Sequence, residues 1–123
     1  MKLLCLIAII LFSSTAIAED FTRYLEKNIP TKIQILEKEK MHVNDNCFNN
    51  FETCTQFLKK TANNKISKGN KHNLTGHPAG AFCTNSQGMP EIFFDVKNNQ
   101  YDFCNFNEKY IVDAWDFYNR FNK

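Results

Sequence analysis

The stretch TKIQILEKEKMHV, residues 31–43, decides the fold of this chain, because it can be read with either of two periods. Ile33 and Ile35 alternate with polar residues as in a strand, whereas Ile29, Ile33 and Leu36 share one face of a helix. Glu37 to Lys40 are good helix formers and tip the reading to helix. Upstream, Phe21, Tyr24 and Leu25 recur at i, i+3 and i+4, so residues 20–27 are expected to form a short amphipathic helix, with Asp20 at its start and Pro30 interrupting it. Downstream, residues 44–62 read NDNCFNNFETCTQFLKKTA. Phe51, Cys54, Phe57 and Leu58 fall on one helical face, and Asn49 with Glu52 has capping-box spacing. The first half of the chain therefore reads as helical.

Cys47 then stands just before this helix and Cys54 on its second turn. On one continuous helix, residues seven apart are separated by about 10.5 Å along the axis. That exceeds the roughly 7 Å between Cα atoms that a disulfide spans. A bridge between them requires the chain to fold back before the helix begins.

The second half opens with GHPAGAFCTNSQGMPEIFFDV, residues 76–96. His77 or Thr75 can cap a helix, Pro78 suits its first position and Gly88 its stop, which predicts a helix over about 78–87. Residues 91–96 alternate, with Ile92, Phe94 and Val96 on one face, and residues 100–106 return as a partner strand around Asn98-Asn99. A two-residue turn sets Val96 opposite Tyr101, Phe94 opposite Phe103 and Asp95 opposite Asp102. The facing carboxylates disfavour it, and a three-residue loop shifts the register by one. No metal is expected between them. In the two-residue register Cys104 lies beside Phe93 on the other face, where Cys83 could meet it from the helix. NEKYIVDAWDFYNRF, residues 107–121, reads as a terminal helix whose stripe of Ile111, Trp115 and Tyr118, widened by Ala114 and Phe121, covers the hairpin. The expected fold is a small disulfide-stabilised α+β domain, a helix–β-hairpin–helix module preceded by a helical N-terminal segment.

The chain begins MKLLCLIAIILFSSTAIA, with a charge at Lys2, an apolar run from Leu3 to Phe12 and the small-residue pattern Ala16-Ile17-Ala18. This is the organisation of a cleaved export signal over residues 1–18, and the apolar run is about half of the roughly 20 residues that a spanning helix needs. Cys5 lies too early for lipidation after cleavage and no cysteine directly follows the cleavage site, so an exported periplasmic or secreted protein is expected rather than a lipoprotein, with no stable membrane insertion. Removing residues 1–18 from the 123 leaves 105, enough for one small domain. It also leaves four cysteines, Cys47, Cys54, Cys83 and Cys104, an even count that in an exported chain points to two disulfides. Ligand spacing for zinc is absent. Residues 19–62 form the helical segment, 63–76 (NNKISKGNKHNLTG) a polar linker and 77–123 the second module. The net charge of +2 becomes +1 without Lys2, which gives no clustered basic surface for nucleic acid.

Pro78, Ala79, Phe82 and Cys83, then Gly88, Glu91 and Ile92, then Gln100, Tyr101 and Cys104, then Asp113, Trp115 and Tyr118 form an ordered set. It resembles domain of unknown function 333, a small exported bacterial module often labelled a haemolysin. The resemblance covers residues 77–121. His77 stands where that family usually has Asn, Met89 replaces a second glycine, and Asn107-Glu108-Lys109 replaces a Pro-Asp-Gly turn. Many members carry two further cysteines that by spacing fall at Val112 and near Asn122, and both are absent here. The resemblance thereby implies pairing of Cys83 with Cys104, which leaves Cys47 for Cys54. Pro78, Phe82, Gly88, Tyr101, Trp115 and Tyr118 are the structural anchors it implies. The haemolysin label carries no mechanism, and no lytic activity is transferred.

For catalysis the candidates are thin: His42 or His77 as a base and Cys83 as a nucleophile, none in a catalytic constellation. No catalytic residue and no cofactor is expected. The sequence points to a non-catalytic envelope protein, a binding or structural module whose partner is another envelope protein. The alternative is an inhibitor or immunity protein that blocks a protein partner through a disulfide-held surface.

Overall fold

The computed structural model describes residues 17–25, 28–62 and 77–122. The expected leader falls mostly, and the polar linker wholly, outside these residues. Six antiparallel strands, β1 (Ala18–Leu25), β2 (Ile29–Lys38), β3 (Met41–Asn44), β4 (Met89–Phe94), β5 (Gln100–Phe106) and β6 (Tyr110–Asp113), close into a barrel in the order β1-β2-β3-β6-β5-β4. Four short helices accompany them: α1 (Asp45–Asn49), α2 (Phe51–Ala62), α3 (Pro78–Asn85) and α4 (Ala114–Phe121). The barrel overturns the α+β helix–hairpin–helix expectation, and the correction begins at residues 31–43.

Those residues form most of a strand, a turn and the next strand. Glu39 and Lys40 are the turn, both at positive φ (48° and 65°), and Lys38 pairs with Met41 across it. Left-handed residues suit the twist of a two-residue hairpin, but Glu-Lys carries none of the Asn-Gly chemistry that announces one. The helix formers from Glu37 to Lys40 thus sit astride a hairpin, and their propensity loses to the ladder. Pairing with β1 runs the length of that strand, from Ala18↔Leu36 to Leu25↔Ile29. In β1 the true period is two. Phe21 and Arg23 are buried while Tyr24 and Leu25 remain exposed, so the helical spacing of three apolar residues was a coincidence.

Two cores result. Phe21, Ile35, Phe93, Phe103 and Ile111 fill the barrel, with the Phe93 and Phe103 rings stacked at 4.5 Å. The opposite face of β3, β5 and β6 presents Met41, Val43, Cys104, Phe106, Tyr110 and Val112 to the helices, which contribute Phe51, Leu58, Ala79 and Phe117. Closure of the barrel is light at two seams, where β1 meets β4 at Thr22↔Phe94 and β3 meets β6 at Val43↔Val112.

The second half departs from expectation in register and in extent. β4 and β5 pair Phe94 with Gln100 and Pro90 with Cys104, which leaves five residues in the loop. Asp95 leaves the strand to organise that loop: its carboxylate accepts from Lys97 N–H, Asn99 N–H and the Asn99 side-chain amide. Asn98 takes the positive φ, at 65°. The shift places Phe93 rather than Phe94 inside the barrel and separates Asp95 from Asp102. The expected terminal helix is divided. Tyr110–Asp113 is a strand with Ile111 in the barrel, and the helix starts only at Ala114, where Asp113 caps it by accepting from Asp116 N–H. Among the described residues, no helix is long and apolar enough to cross a membrane.

Candidate functional site

α3 lies across the outer face of the β4–β5 hairpin and leaves an open cleft of about 390 Å³ beside the start of α4. His77, Gly80 and Ala81 form one wall, Pro90, Glu91 and Ile92 the other, and Asp102 and Ala114 complete it. The space exists because three residues facing it are small: Gly80, Ala81 and Ala114. Ile92 on β4 is 50% exposed at the edge of this space. Trp115, the single tryptophan, is 40% exposed with its ring centred 5.2 Å from that of His77. Trp115 is thus not the core anchor that a terminal helix would make of it, because the strand ending at Asp113 resets the helical phase.

His77 is the best-held side chain of the cleft. Its Nδ1 accepts from Gly80 N–H at 2.7 Å, capping α3, and its Nε2–H donates to Asp102 Oδ2 at 2.7 Å. A side chain at position 80 would meet Nδ1 at 3.0 Å, so glycine belongs to the same device. The pair has the outline of a carboxylate–histidine dyad. A general base, however, needs an available lone pair, and the one on Nδ1 is taken by the helix cap.

At one end of the barrel, Arg23 of β1 is 5% exposed and reaches two carboxylates from the other half of the chain. It donates to Glu91 at 2.8 and 3.0 Å and to Glu108 at 2.7 and 2.8 Å, while its guanidinium carbon sits 5.3 Å from the Phe93 ring centroid. The Asn105 amide donates to both carboxylates. The hydrogen bond from Arg23 holds the Glu108 carboxyl below its ordinary value, against the opposing effect of burial, with Asn105 adding to the lowering. Nothing local in the sequence marks this group, whose members are 68 and 85 positions apart.

A third cluster ties β3 to α4. His42 donates through Nδ1–H to Asp116 Oδ2 at 2.8 Å, and its backbone N–H reaches the same oxygen at 2.9 Å. Burial disfavours the charged ring, but the Asp116 hydrogen bond and the charges of Asp116, Glu37 and Asp113 outweigh it, so the His42 pKa is raised. Burial lifts the Asp113 carboxyl above its ordinary value, the adjacent Asp116 charge adding to the effect and the Asp116 N–H opposing it. Ligand atoms of His42, Asp113 and Asp116 lie within 4.8 Å of one another, a spacing that a cation could use. A helix cap and an imidazole–carboxylate hydrogen bond already account for the arrangement.

The structure pairs Cys47 with Cys54, Cα atoms 5.2 Å apart, and Cys83 with Cys104, 5.6 Å apart. The first pair meets because the chain breaks at Asn50 between α1 and α2, which seats one cysteine on each helix. With all four thiols joined, Cys83 offers no nucleophile. Of the other anchors, Phe82 packs on Phe117 and Tyr118, while Pro78 and Tyr101 are exposed. Gly88 lies against the second disulfide, where an added Cβ would overlap Cys104 Sγ and sit 2.9 Å from Cys83 Sγ.

Residues 75–120 match the family model described as domain of unknown function DUF333, in agreement with the resemblance read over 77–121. Neither the curated proteins nor the solved structures contain a match to this chain.

Proposed function

We propose that the protein is an exported, non-catalytic binding module that engages a protein partner of the cell envelope through the cleft between α3, β4 and α4. The observation that carries the reading is the pairing of small residues with large exposed ones at one place. Gly80, Ala81 and Ala114 hold the cleft open while Ile92 and Trp115 stand half out of the surface beside it. Aromatic and aliphatic anchors at a rigid concavity are the usual centre of a protein interface. The cleft is rigid because α3 is tied to β5 twice, by the Cys83–Cys104 bridge and by the His77–Asp102 hydrogen bond. Two disulfides and the lack of a spanning helix among the described residues are compatible with export. Against catalysis stand the occupied Nδ1 of His77 and the paired thiols.

The test is affinity capture from envelope extract with the wild type and with Ala81→Phe, which fills the cleft from a half-buried position of α3 that lines it. A partner retained by the wild type and lost by the variant is the expected result. Capture of nothing, or of the same protein by both, overturns the reading. A captured enzyme that loses activity when bound makes the module an inhibitor.

A further inference from the structure

We propose that the occupant of this cleft is a cationic side chain on an apolar stem, a lysine or arginine presented by a segment of the partner protein; the inference rests on the binding reading above. The argument is one of charge. The floor and walls are apolar at Ala81, Pro90, Ile92 and Ala114, yet the Asp102 carboxylate lies among them. Among the described residues its one hydrogen-bonding or ion-pair partner is His77 Nε2. Because His77 Nδ1 accepts from Gly80 N–H, the ring carries its proton on Nε2 and donates it without neutralising the acid. Glu91, the other acid of the lining, already has its counter-ion in Arg23. The unmet charge of the cleft is therefore that of Asp102.

A neutral apolar side chain entering here would strip water from Asp102 and return nothing, and an anionic one would be repelled. A methylene stem ending in an ammonium or guanidinium covers Ile92 and Pro90 and brings its charge to the carboxylate. Trp115, whose ring packs beside His77 of the lining, adds a neighbouring aromatic surface that favours a cation. A hydrogen bond to a charged group contributes enough to separate a cationic from a neutral side chain by about tenfold in affinity, even when part of the site is wet.

Trp115 is the single tryptophan and its ring packs beside His77 of the lining, so its fluorescence reports on the site. The wild type is titrated with acetyl-Ala-Leu-Lys-Leu-Ala-amide and with the same peptide carrying norleucine in place of lysine. The expected result is a saturable change with the lysine peptide, binding about tenfold tighter than norleucine at low salt, and a difference that shrinks as salt rises. Asp102→Asn keeps an acceptor for His77 while removing the charge, and the preference should vanish in it. Circular dichroism checks that the variant is folded, and the wild-type comparison of the two peptides stands without it. Equal binding of both peptides to the wild type overturns the cationic occupant while leaving a binding cleft. Binding of neither overturns both readings. A lysine preference that survives in Asp102→Asn overturns the assignment to this carboxylate.

Discussion

Replacing Arg23 with methionine should destabilise the barrel by about 2–4 kcal/mol. Removing one partner of a buried ion pair costs about 3–5 kcal/mol, because the other charge stays behind without water. Here the two remaining acids differ. The Glu91 side chain is 21% exposed and pays most of that penalty, whereas Glu108 is 60% exposed and can turn to solvent, which lowers the figure. Methionine keeps contact with Phe93, so little packing is lost. For a domain of this size the loss corresponds to a fall in Tm of about 10–20 °C. The site also sits beside the β1–β4 seam, which is held by one ladder pair, Thr22↔Phe94, so little strand pairing across that seam compensates. The assay is urea and thermal unfolding of the wild type, Arg23→Met and the triple variant Arg23→Met/Glu91→Gln/Glu108→Gln. The triple variant should recover at least about half the loss, because a neutral network leaves no charge buried alone. A loss below about 1 kcal/mol, or a triple variant no more stable than the single, would refute the reasoning. There is a pH signature as well. Glu108 is depressed below its ordinary 4.5 by Arg23, so its contribution is present above that pH and lost as pH falls through the lowered value. Arg23→Met should flatten this acid limb.

Three further outcomes follow from the same structure. Cys83→Ser should destabilise by about 3 kcal/mol and Cys47→Ser by about 2–3 kcal/mol, since Cys47 and Cys54 close a loop of separation 7 against 21 for Cys83 and Cys104; urea unfolding with and without reductant measures both. Asn-Gly in place of Glu39-Lys40 should raise stability by about 1–2 kcal/mol, because two side chains leave a left-handed conformation that they resist; an unchanged Tm would count against the hairpin. His42 has a raised pKa, so the stability it lends is fully present below its ordinary 6.5 and is lost as pH rises through the folded value. Thermal melts across pH 5 to 9 should show that decline in the wild type and a flatter profile in Asp116→Asn.

The parts of the fold that could be read in advance were those written in local chemistry. α3 is announced by Pro78 and ended before Gly88, and α2 by a helical face of Phe51, Cys54 and Leu58. The strands of the first half were hidden because their evidence is distributed. β2 shows two alternating isoleucines and then a run of helix formers, and its turn relies on Glu39 and Lys40 at positive φ. The division of residues 107–121 was hidden for a related reason. Ile111, Trp115 and Tyr118 have perfect helical spacing, and only the barrel interior, which takes Ile111, reveals that two elements share it. The register of β4 and β5 turned on Asp95, a residue that reads equally well as a strand position and as a loop cap. As for the cleft, His77 was legible as a cap, but its contact with Asp102 required the true register. Arg23 with Glu91 and Glu108 had no sequence signal at all.

Every residue that lines the cleft, from His77 to Ala114, lies within the matched segment 75–120, while Arg23 lies outside it. The segment supplies β4, β5 and β6, a three-stranded sheet whose two edges would otherwise present unpaired backbone groups. In this chain β1 meets one edge and β3 the other, each at a single ladder pair, so strand hydrogen bonding alone fastens the halves weakly. The stronger fastening is in side chains: Arg23 to Glu91 and Glu108, His42 to Asp116, and the Asn44 and Asn46 amides to the Lys109 carbonyl. Neither disulfide crosses between the halves. The two bridges therefore stiffen each half internally, and polar contacts from the first half hold β4, the wall that carries Pro90 and Ile92, in place. The cleft belongs to the matched segment, but its shape depends on the strands that precede it.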